Sequence, residues 1–264
     1  MQELASGKLL LDEPADHVTR LRISNPAKRG ALDLEILDTL AETVHGLDAR
    51  CLLITGEGSV FSAGYDIGNL DDRNFEQRAE ALVAHPFHAA LEVLEAYPYP
   101  AVAALNGHAI GGGLELALTC DIRVAARGIK VGMPPAKLGL IYSHTGLRKF
   151  IETCGVANTC ELFFVGRNVD AERAAVMGVV NQVVEREELE REALSLAAEI
   201  ASNAPLSLEG NKRIIRTLRE HDLPLTAELE RELVELRESC FSAEDFREGV
   251  RAFAEKRAPR WRGV

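Results

Sequence analysis

Two glycine-rich turns and one carboxylate carry most of the chemistry in this sequence. The first turn is Phe61-Ser62-Ala63-Gly64-Tyr65-Asp66-Ile67. Small residues at Ser62, Ala63 and Gly64 let another molecule approach the backbone closely. Asp66 can begin a short helix whose first amides point outward. Such amides are good donors to an oxygen on which negative charge develops. Taken alone, the segment reads more readily as a plain strand-to-helix turn. The second turn is Asn106-Gly107-His108-Ala109-Ile110-Gly111-Gly112-Gly113-Leu114-Glu115-Leu116. Each glycine within a helix costs about 1 kcal/mol against alanine. Three at a helix start imply that a ligand or a packed strand needs the bare backbone. Leu116 stands where the last glycine of a dinucleotide fingerprint would fall, and no Gly-Lys-Ser/Thr follows, so neither phosphate motif is present. Glu115 lies one turn into the helix, inside an apolar run. A carboxylate there is either catalytic or satisfied by a structural partner. Further on, Leu140-Ile141-Tyr142-Ser143-His144-Thr145-Gly146 offers a tyrosine that reads as a core aromatic with a satisfied hydroxyl, and a histidine that reads as a helix-start residue.

The elements that must position these groups alternate between strand and helix. Lys8–Asp12 and His17–Ile23 are β-patterned, and Asn25-Pro26 marks a turn. Asp33 is suited to cap an amphipathic helix running to about Leu47. Cys51–Thr55 is a short apolar strand ended by Gly56 and Gly58. Glu76–Ala96 reads as a long helix stopped by Pro98 and Pro100. Ala101–Leu105 and Ile122–Ala126 are buried-type strands, with the helical stretch Leu114–Thr119 between them. This order predicts an α/β protein of stacked β/α units. After about residue 185 the pattern is helical throughout: Glu187–Ser202, Leu206–Arg219, Leu225–Cys240 and Ala243–Lys256. The expected division is a core over 1–200 holding the site, and a helical subdomain over 201–264. Charged helix faces of this kind read as solvated surface or subunit contact.

Composition narrows the function classes. Of the 264 residues, 47% are apolar and 27% charged, as in an ordinary globular protein. No apolar run is long enough to span a bilayer. Residues Met1–Leu11 lack the basic start and apolar stretch of a signal peptide, so a cytoplasmic location is expected. The five cysteines are widely spaced and read as reduced, mostly buried thiols, with no zinc spacing among them. A net charge of -11 argues against nucleic acid as the main partner. It leaves room for an anionic ligand, because salt screens distant charge beyond about 8–10 Å.

The two glycine-rich turns, in this order and spacing, resemble the paired signatures of the crotonase (enoyl-CoA hydratase/isomerase) superfamily. The resemblance runs over nearly the whole chain. It includes Asn25-Pro26-Ala27-Lys28-Arg29-Gly30-Ala31-Leu32, Cys120-Asp121-Ile122-Arg123-Val124-Ala125-Ala126 and Gly178-Val179-Val180-Asn181. It ends with Ser242–Gly249 and Ala252-Phe253-Ala254-Glu255-Lys256-Arg257. It implies the crotonase (ClpP-like) fold of stacked ββα units with a C-terminal helical oligomerisation subdomain. It also implies an acyl-CoA thioester as substrate, with coenzyme A entering as part of that substrate and no tightly bound cofactor or metal. The thioester oxygen would sit between the amides of Tyr65 and Gly112. The positions similar to CoA contacts are Lys28, Arg29, Ala63, Asp66 and Ile67, joined by Phe253 and Lys256 from the chain's end. Without the resemblance, Lys28, Arg29 and Lys256 read as solvated surface charge. Family members imply a homotrimer or homohexamer, and the segment Asn69–Pro86 would line the acyl tunnel.

The resemblance also bears on the reaction. Hydratases of the superfamily use two glutamates, one to take a proton and one to supply it. Glu115 matches the first. The second follows a Gly-x-Pro element, and here Val131-Gly132-Met133-Pro134-Pro135 puts Pro135 in its place. The stretch through Tyr142 is similar to the methylmalonyl-CoA decarboxylase branch, in which loss of CO2 delivers the enolate without a strong base. That branch typically has a histidine where Tyr65 stands and fewer glycines in the second turn. The implied activity is decarboxylation of a malonyl-type thioester, with Tyr142 orienting the carboxylate. Isomerisation or a one-glutamate hydration at Glu115 is the alternative. A non-catalytic CoA-binding or scaffold protein is the alternative of another class.

Overall fold

The computed structural model describes residues 1–66, 86–221 and 226–264, without the side chains of 237–242, 253 and 254. Its strands are β1 (Gln2–Leu4), β2 (Leu9–Ala15), β3 (Val18–Ile23), β4 (Cys51–Gly56), β5 (Val60–Ser62), β6 (Ala101–Leu105), β7 (His108–Ile110), β8 (Ile122–Ala126), β9 (Lys130–Gly132), β10 (Val169–Asp170) and β11 (Gln182–Val184). They form a larger sheet of order β1-β2-β3-β4-β6-β8-β11 and a smaller one of order β10-β9-β7-β5. From β3 to β11 the larger sheet is parallel, and its first three strands are an antiparallel meander. In the smaller sheet β5, β7 and β9 are parallel and β10 is antiparallel.

The chain builds both sheets at once. Each of β4, β6 and β8 is followed by a short strand of the other sheet. The helices are α1 (Leu34–His45), α2 (His88–Ala96), α3 (Gly112–Thr119), α4 (His144–Cys160), α5 (Ala171–Val176), α6 (Leu189–Ala201), α7 (Pro205–Glu220), α8 (Ala227–Ser242) and α9 (Glu244–Glu255). Two of them close ββα units, α3 after β6 and β7, and α4 after β8 and β9. The corner from β6 to β7 needs a bare residue at Gly107, where a Cβ would collide with the Ser59 carbonyl. Asn106 pins the same corner: its Oδ1 accepts from the Gly56 N–H at 2.9 Å and its Nδ2 donates to the Gly58 carbonyl at 3.0 Å.

The core lies on the larger sheet. Every residue of β6 is buried, as are Leu52, Leu53 and Ile54 of β4, which is why these strands read as unbroken apolar runs. Asp33 does cap α1, accepting from the Ile36 N–H at 2.9 Å, and the helix buries Ile36, Leu37, Leu40 and Val44. Burial of such side chains contributes roughly 1.5–3 kcal/mol each. Of the long helix expected over Glu76–Ala96, the structure gives α2 from His88 onward, and residues 67–85 lie outside those described. The 200/201 boundary falls on the last turn of α6, which packs against β4, β6 and β8 and so belongs to the core. The helices beyond it are tied back by Lys212 of α7, whose ammonium donates to Asp121 Oδ2 at 2.8 Å and to the Tyr99 carbonyl at 2.9 Å. Cys51, Cys120, Cys154 and Cys160 are free thiols. Among the described residues no helix is long and apolar enough to cross a membrane.

Candidate active site

The turn after β5 is held from below by the loop before α1. Ser62 Oγ donates to the Gly30 carbonyl at 2.7 Å, and the Ala63 N–H donates to the Arg29 carbonyl at 3.1 Å. Leu32 then bridges the turn. Its N–H donates to the Gly64 carbonyl at 2.8 Å, and its carbonyl accepts from the Asp66 N–H at 2.8 Å. In such a parallel bridge the residue between, Tyr65, turns its own N–H and C=O to the opposite side. That side faces the second glycine turn. Gly64 has φ +96°, and a Cβ there would stand 2.8 Å from the Ile110 carbonyl oxygen and 3.1 Å from the Gly112 nitrogen. The two turns therefore meet backbone to backbone. Gly112 is the first residue of α3, so its N–H has no intrahelical acceptor.

Glu115 sits one turn further along α3, a helix buried along its whole length, and is 4% exposed. Its Oε2 accepts a hydrogen bond from the Tyr142 hydroxyl. The Tyr65 hydroxyl lies 3.4 Å from the same oxygen and 2.9 Å from the Tyr142 hydroxyl. Both rings are fixed by packing. Tyr65 meets Phe87 edge to face at 4.6 Å between centroids, and Tyr142 meets Phe163 at 5.4 Å. The start of α4 closes the cluster. Ser143 caps it by accepting from the Gly146 N–H at 3.1 Å, and a Cβ on Gly146 would lie 2.6 Å from the Tyr142 ring and 3.0 Å from Glu115 Oε1.

Burial pushes the Glu115 carboxyl above its ordinary value, opposed by the Tyr142 hydrogen bond and the Lys149 charge, then by Tyr65 and His88. The position one turn into a helix N-terminus also favours its anion. Burial, followed by the Glu115 charge, pushes both tyrosine hydroxyls upward, so they remain protonated donors. The arrangement is one carboxyl held by two hydroxyls, beside two turns with outward backbone amides. It can take a proton from, or return one to, a carbon placed over it. Pro135 is buried in the short helical turn Pro135–Leu138 and offers no titratable group.

The structure brings Tyr65, Gly112, Glu115 and Tyr142 together. Lys28 also reaches the site, its ammonium paired with Asp66, while Arg29 and Ala63 are exposed beside it. Lys256 is exposed just past α9. Ile67, the segment to residue 85 and the Phe253 side chain lie outside the described residues. His144 is the exposed first residue of α4. Sequence reasoning used only the amide of Tyr65 and missed its hydroxyl. It also missed Phe87 and Lys149, which carry no local signal because they join the site from separate helical segments.

The segments 120–126 and 178–181 hold the sheet rather than the site. Arg123 is buried and donates to the Val179 and Cys120 carbonyls at 2.7 Å each, and Asn181 Oδ1 accepts from the Arg123 N–H at 2.9 Å.

Comparison with known proteins gives a consistent answer. The sequence profile described as enoyl-CoA hydratase/isomerase matches residues 13–264. The short-chain-enoyl-CoA hydratase of Clostridium acetobutylicum is 32% identical over 251 residues, covering 93% of this chain and 94% of that one. The crystal structure of an enoyl-CoA hydratase from Bacillus anthracis superposes with a TM-score of 0.87 at 29% identity, covering 97% of this chain and all of that one. The solved structure of DspI from Pseudomonas aeruginosa gives 0.86 at 33% identity, covering 99% of this chain and 98% of that one. With its paired sheets, its two meeting glycine turns and a match over nearly its full length, the chain belongs to the enoyl-CoA hydratase/isomerase family and has the crotonase fold.

Proposed function

We propose that this protein binds an acyl-CoA thioester, stabilises its enolate on the amides of Tyr65 and Gly112, and moves the proton through Glu115 alone. The observation that carries this is the buried Tyr142–Glu115–Tyr65 cluster, with Pro135 where a second carboxylate would stand. As the enolate forms, charge moves onto the thioester oxygen. Two fixed donors favour that state over the ground state, and each such donor is typically worth ~3–4 kcal/mol in the transition state. A single carboxyl suits a 1,3-proton shift. Glu115 takes a proton from C2 of a 3-enoyl thioester, the electron pair moves into the dienolate, and the same carboxyl returns the proton at C4. Tyr142 and Tyr65 hold the carboxylate in one orientation for both transfers. Isomerisation of an enoyl-CoA is therefore the first reading, with one-glutamate hydration using the same groups.

One observation favours a second reading. The upward push on Glu115 suits a proton donor, and decarboxylation of a malonyl-type thioester needs only a donor. There the C–C bond breaks to CO2, its electron pair forms the enolate, and Glu115 protonates the carbon. The Tyr142 hydroxyl is already committed to Glu115, which weakens its use for holding a substrate carboxylate. Incubation with a 3-enoyl-CoA, crotonyl-CoA and methylmalonyl-CoA in separate reactions, followed by mass, distinguishes these readings. A conjugated isomer, a mass gain of one water, or release of CO2 identifies each in turn. Failure to bind CoA in an isothermal titration would leave the scaffold reading in place of all three.

Assembly as a trimer or hexamer through 201–264 belongs to the same proposal. Val250 of α9 is 57% exposed and Ile141, beside the site, 93% exposed, and both would be covered by a neighbouring copy.

A further inference from the structure

Lys149 is a buried cation on the inner side of α4, at 8% exposure. Its ammonium donates to Thr119 Oγ1 at 2.7 Å and faces Glu95 of α2 at 3.4 Å. Thr119 lies one turn beyond Glu115 on α3, and its hydroxyl donates to the Glu115 carbonyl at 3.0 Å. Lys149 and Glu115 also line one cavity of about 480 Å³ between α2, α4 and α7. The charges around the rim of that cavity are largely paired with one another: His88 with Glu92 at 3.1 Å, Arg148 and Arg219 with Glu152 at 2.6 and 3.0 Å, Arg216 with Glu220 at 2.6 Å. Glu95 is shared, with Arg219 at 3.4 Å from it as well.

A buried ammonium is costly unless a carboxylate and hydrogen bonds meet it closely. Lys149 has three donors, yet among the described residues its contacts are one hydroxyl and one shared carboxylate at 3.4 Å. Its charge is therefore open to Glu115, the buried carboxylate among those lining the cavity, through a medium that screens less than water.

We propose that Lys149 is a positioning residue whose buried charge holds the Glu115 carboxylate ionised, so that it can act as a base. The inference rests on the reading of Glu115 as the acid/base. Among the described residues, the Tyr142 hydroxyl from the segment before α4 and the Tyr65 hydroxyl from the turn after β5 bond to Glu115, and Lys149 from α4 and His88 from α2 line the cavity with it. The tyrosines stay neutral, and His88 is half-exposed and engaged by Glu92, which leaves Lys149 as the more deeply buried cation of the two among the described residues. Burial works against the Glu115 anion and the Lys149 charge works for it.

The test reads Glu115 directly, without turnover. In pH-difference infrared spectra of the free protein, the buried carboxylic C=O band that is missing from Glu115→Gln reports its protonation. Lys149→Met is expected to raise the proton affinity of Glu115 by about tenfold or more. Lys149→Arg keeps the charge and is expected to titrate near the original protein. Glu95→Gln removes the competing anion and is expected to shift the titration the opposite way. The acid limb of kcat/KM with a 3-enoyl-CoA should move in parallel. If the band shifts as expected while no thioester turns over, the functional reading fails and the electrostatic role of Lys149 stands. Titrations of Lys149→Met and Glu95→Gln that coincide with the original protein overturn the proposal. If Lys149→Met does not fold, Glu95→Gln decides it alone.

Discussion

Replacement of Tyr142 by phenylalanine is the sharpest probe of the cluster. The change removes one oxygen and leaves the ring, with its contacts to Phe163 and Gly146, in place. Glu115 Oε2 then loses the Tyr142 donor, and among the described residues the Tyr65 hydroxyl at 3.4 Å remains. A hydrogen bond to a charged group is worth ~1.5–3 kcal/mol, which at ~1.4 kcal/mol per tenfold is roughly a 10- to 100-fold rise in the proton affinity of Glu115. The sign follows from the geometry: the donor favours the carboxylate, so its loss adds to the upward push that burial already exerts. The deficit in kcat/KM should therefore depend on pH. It should be largest on the acid side of the profile, where less carboxylate is available, and shrink as pH rises. Tyr65 can close its 3.4 Å gap and offset part of the loss, so Tyr65→Phe and Tyr142→Phe combined should cost more than the sum of the two. The assay is a pH series of kcat/KM with a 3-enoyl-CoA, alongside thermal unfolding to show that the fold persists. Undiminished turnover on the acid limb would refute the role given to Tyr142. A loss that is equal at every pH and confined to a malonyl-type thioester would point instead to direct contact with a substrate carboxylate.

Four further outcomes follow from the same geometry. Glu115→Gln should stabilise the protein at neutral pH: a carboxyl held above its ordinary 4.5 in the fold contributes stability below that pH and loses it as pH rises through the folded value. The gain in Tm over the original protein should grow from pH 5 to pH 8, and a constant difference would contradict it. Gly64→Ala should cost roughly 1–3 kcal/mol and abolish turnover, because φ +96° and the 2.8 Å approach to Ile110 leave no room for a Cβ; an active variant would count against the two-turn site. Lys28→Ala should weaken CoA binding up to about fivefold in calorimetry at low salt, with the difference fading at high salt, since this exposed ammonium interacts through water. Light scattering should give three or six times the chain mass, and a monomer would remove the assembly proposal.

What could be read from the sequence depended on how locally each feature is determined. Asp33 announces α1 because a cap and an amphipathic period are written in adjacent residues, and β4 and β6 announce themselves as apolar runs buried on both faces. The strands β5, β7 and β9 are three residues each, too short for an alternation to show. They exist because corners such as Gly107 fold the chain from one sheet onto the other, a constraint set by residues some fifty positions away. The site divides in the same way. The glycines of the second turn could be read as a demand for bare backbone, but not the reason for it. A Cβ on Gly112 would lie 2.5 Å from the Tyr65 ring. Gly112 thus leaves its own amide open and at the same time makes room for the ring that carries the Tyr65 hydroxyl to Glu115. On the proposed reading, Tyr65 in turn would supply an amide to the thioester as well as its hydroxyl to Glu115. The two turns are therefore coupled through a side chain as well as through backbone contact. A residue at 65 without an aromatic ring would keep the amide yet release Glu115 from its second donor, so the proton step should suffer while thioester binding survives.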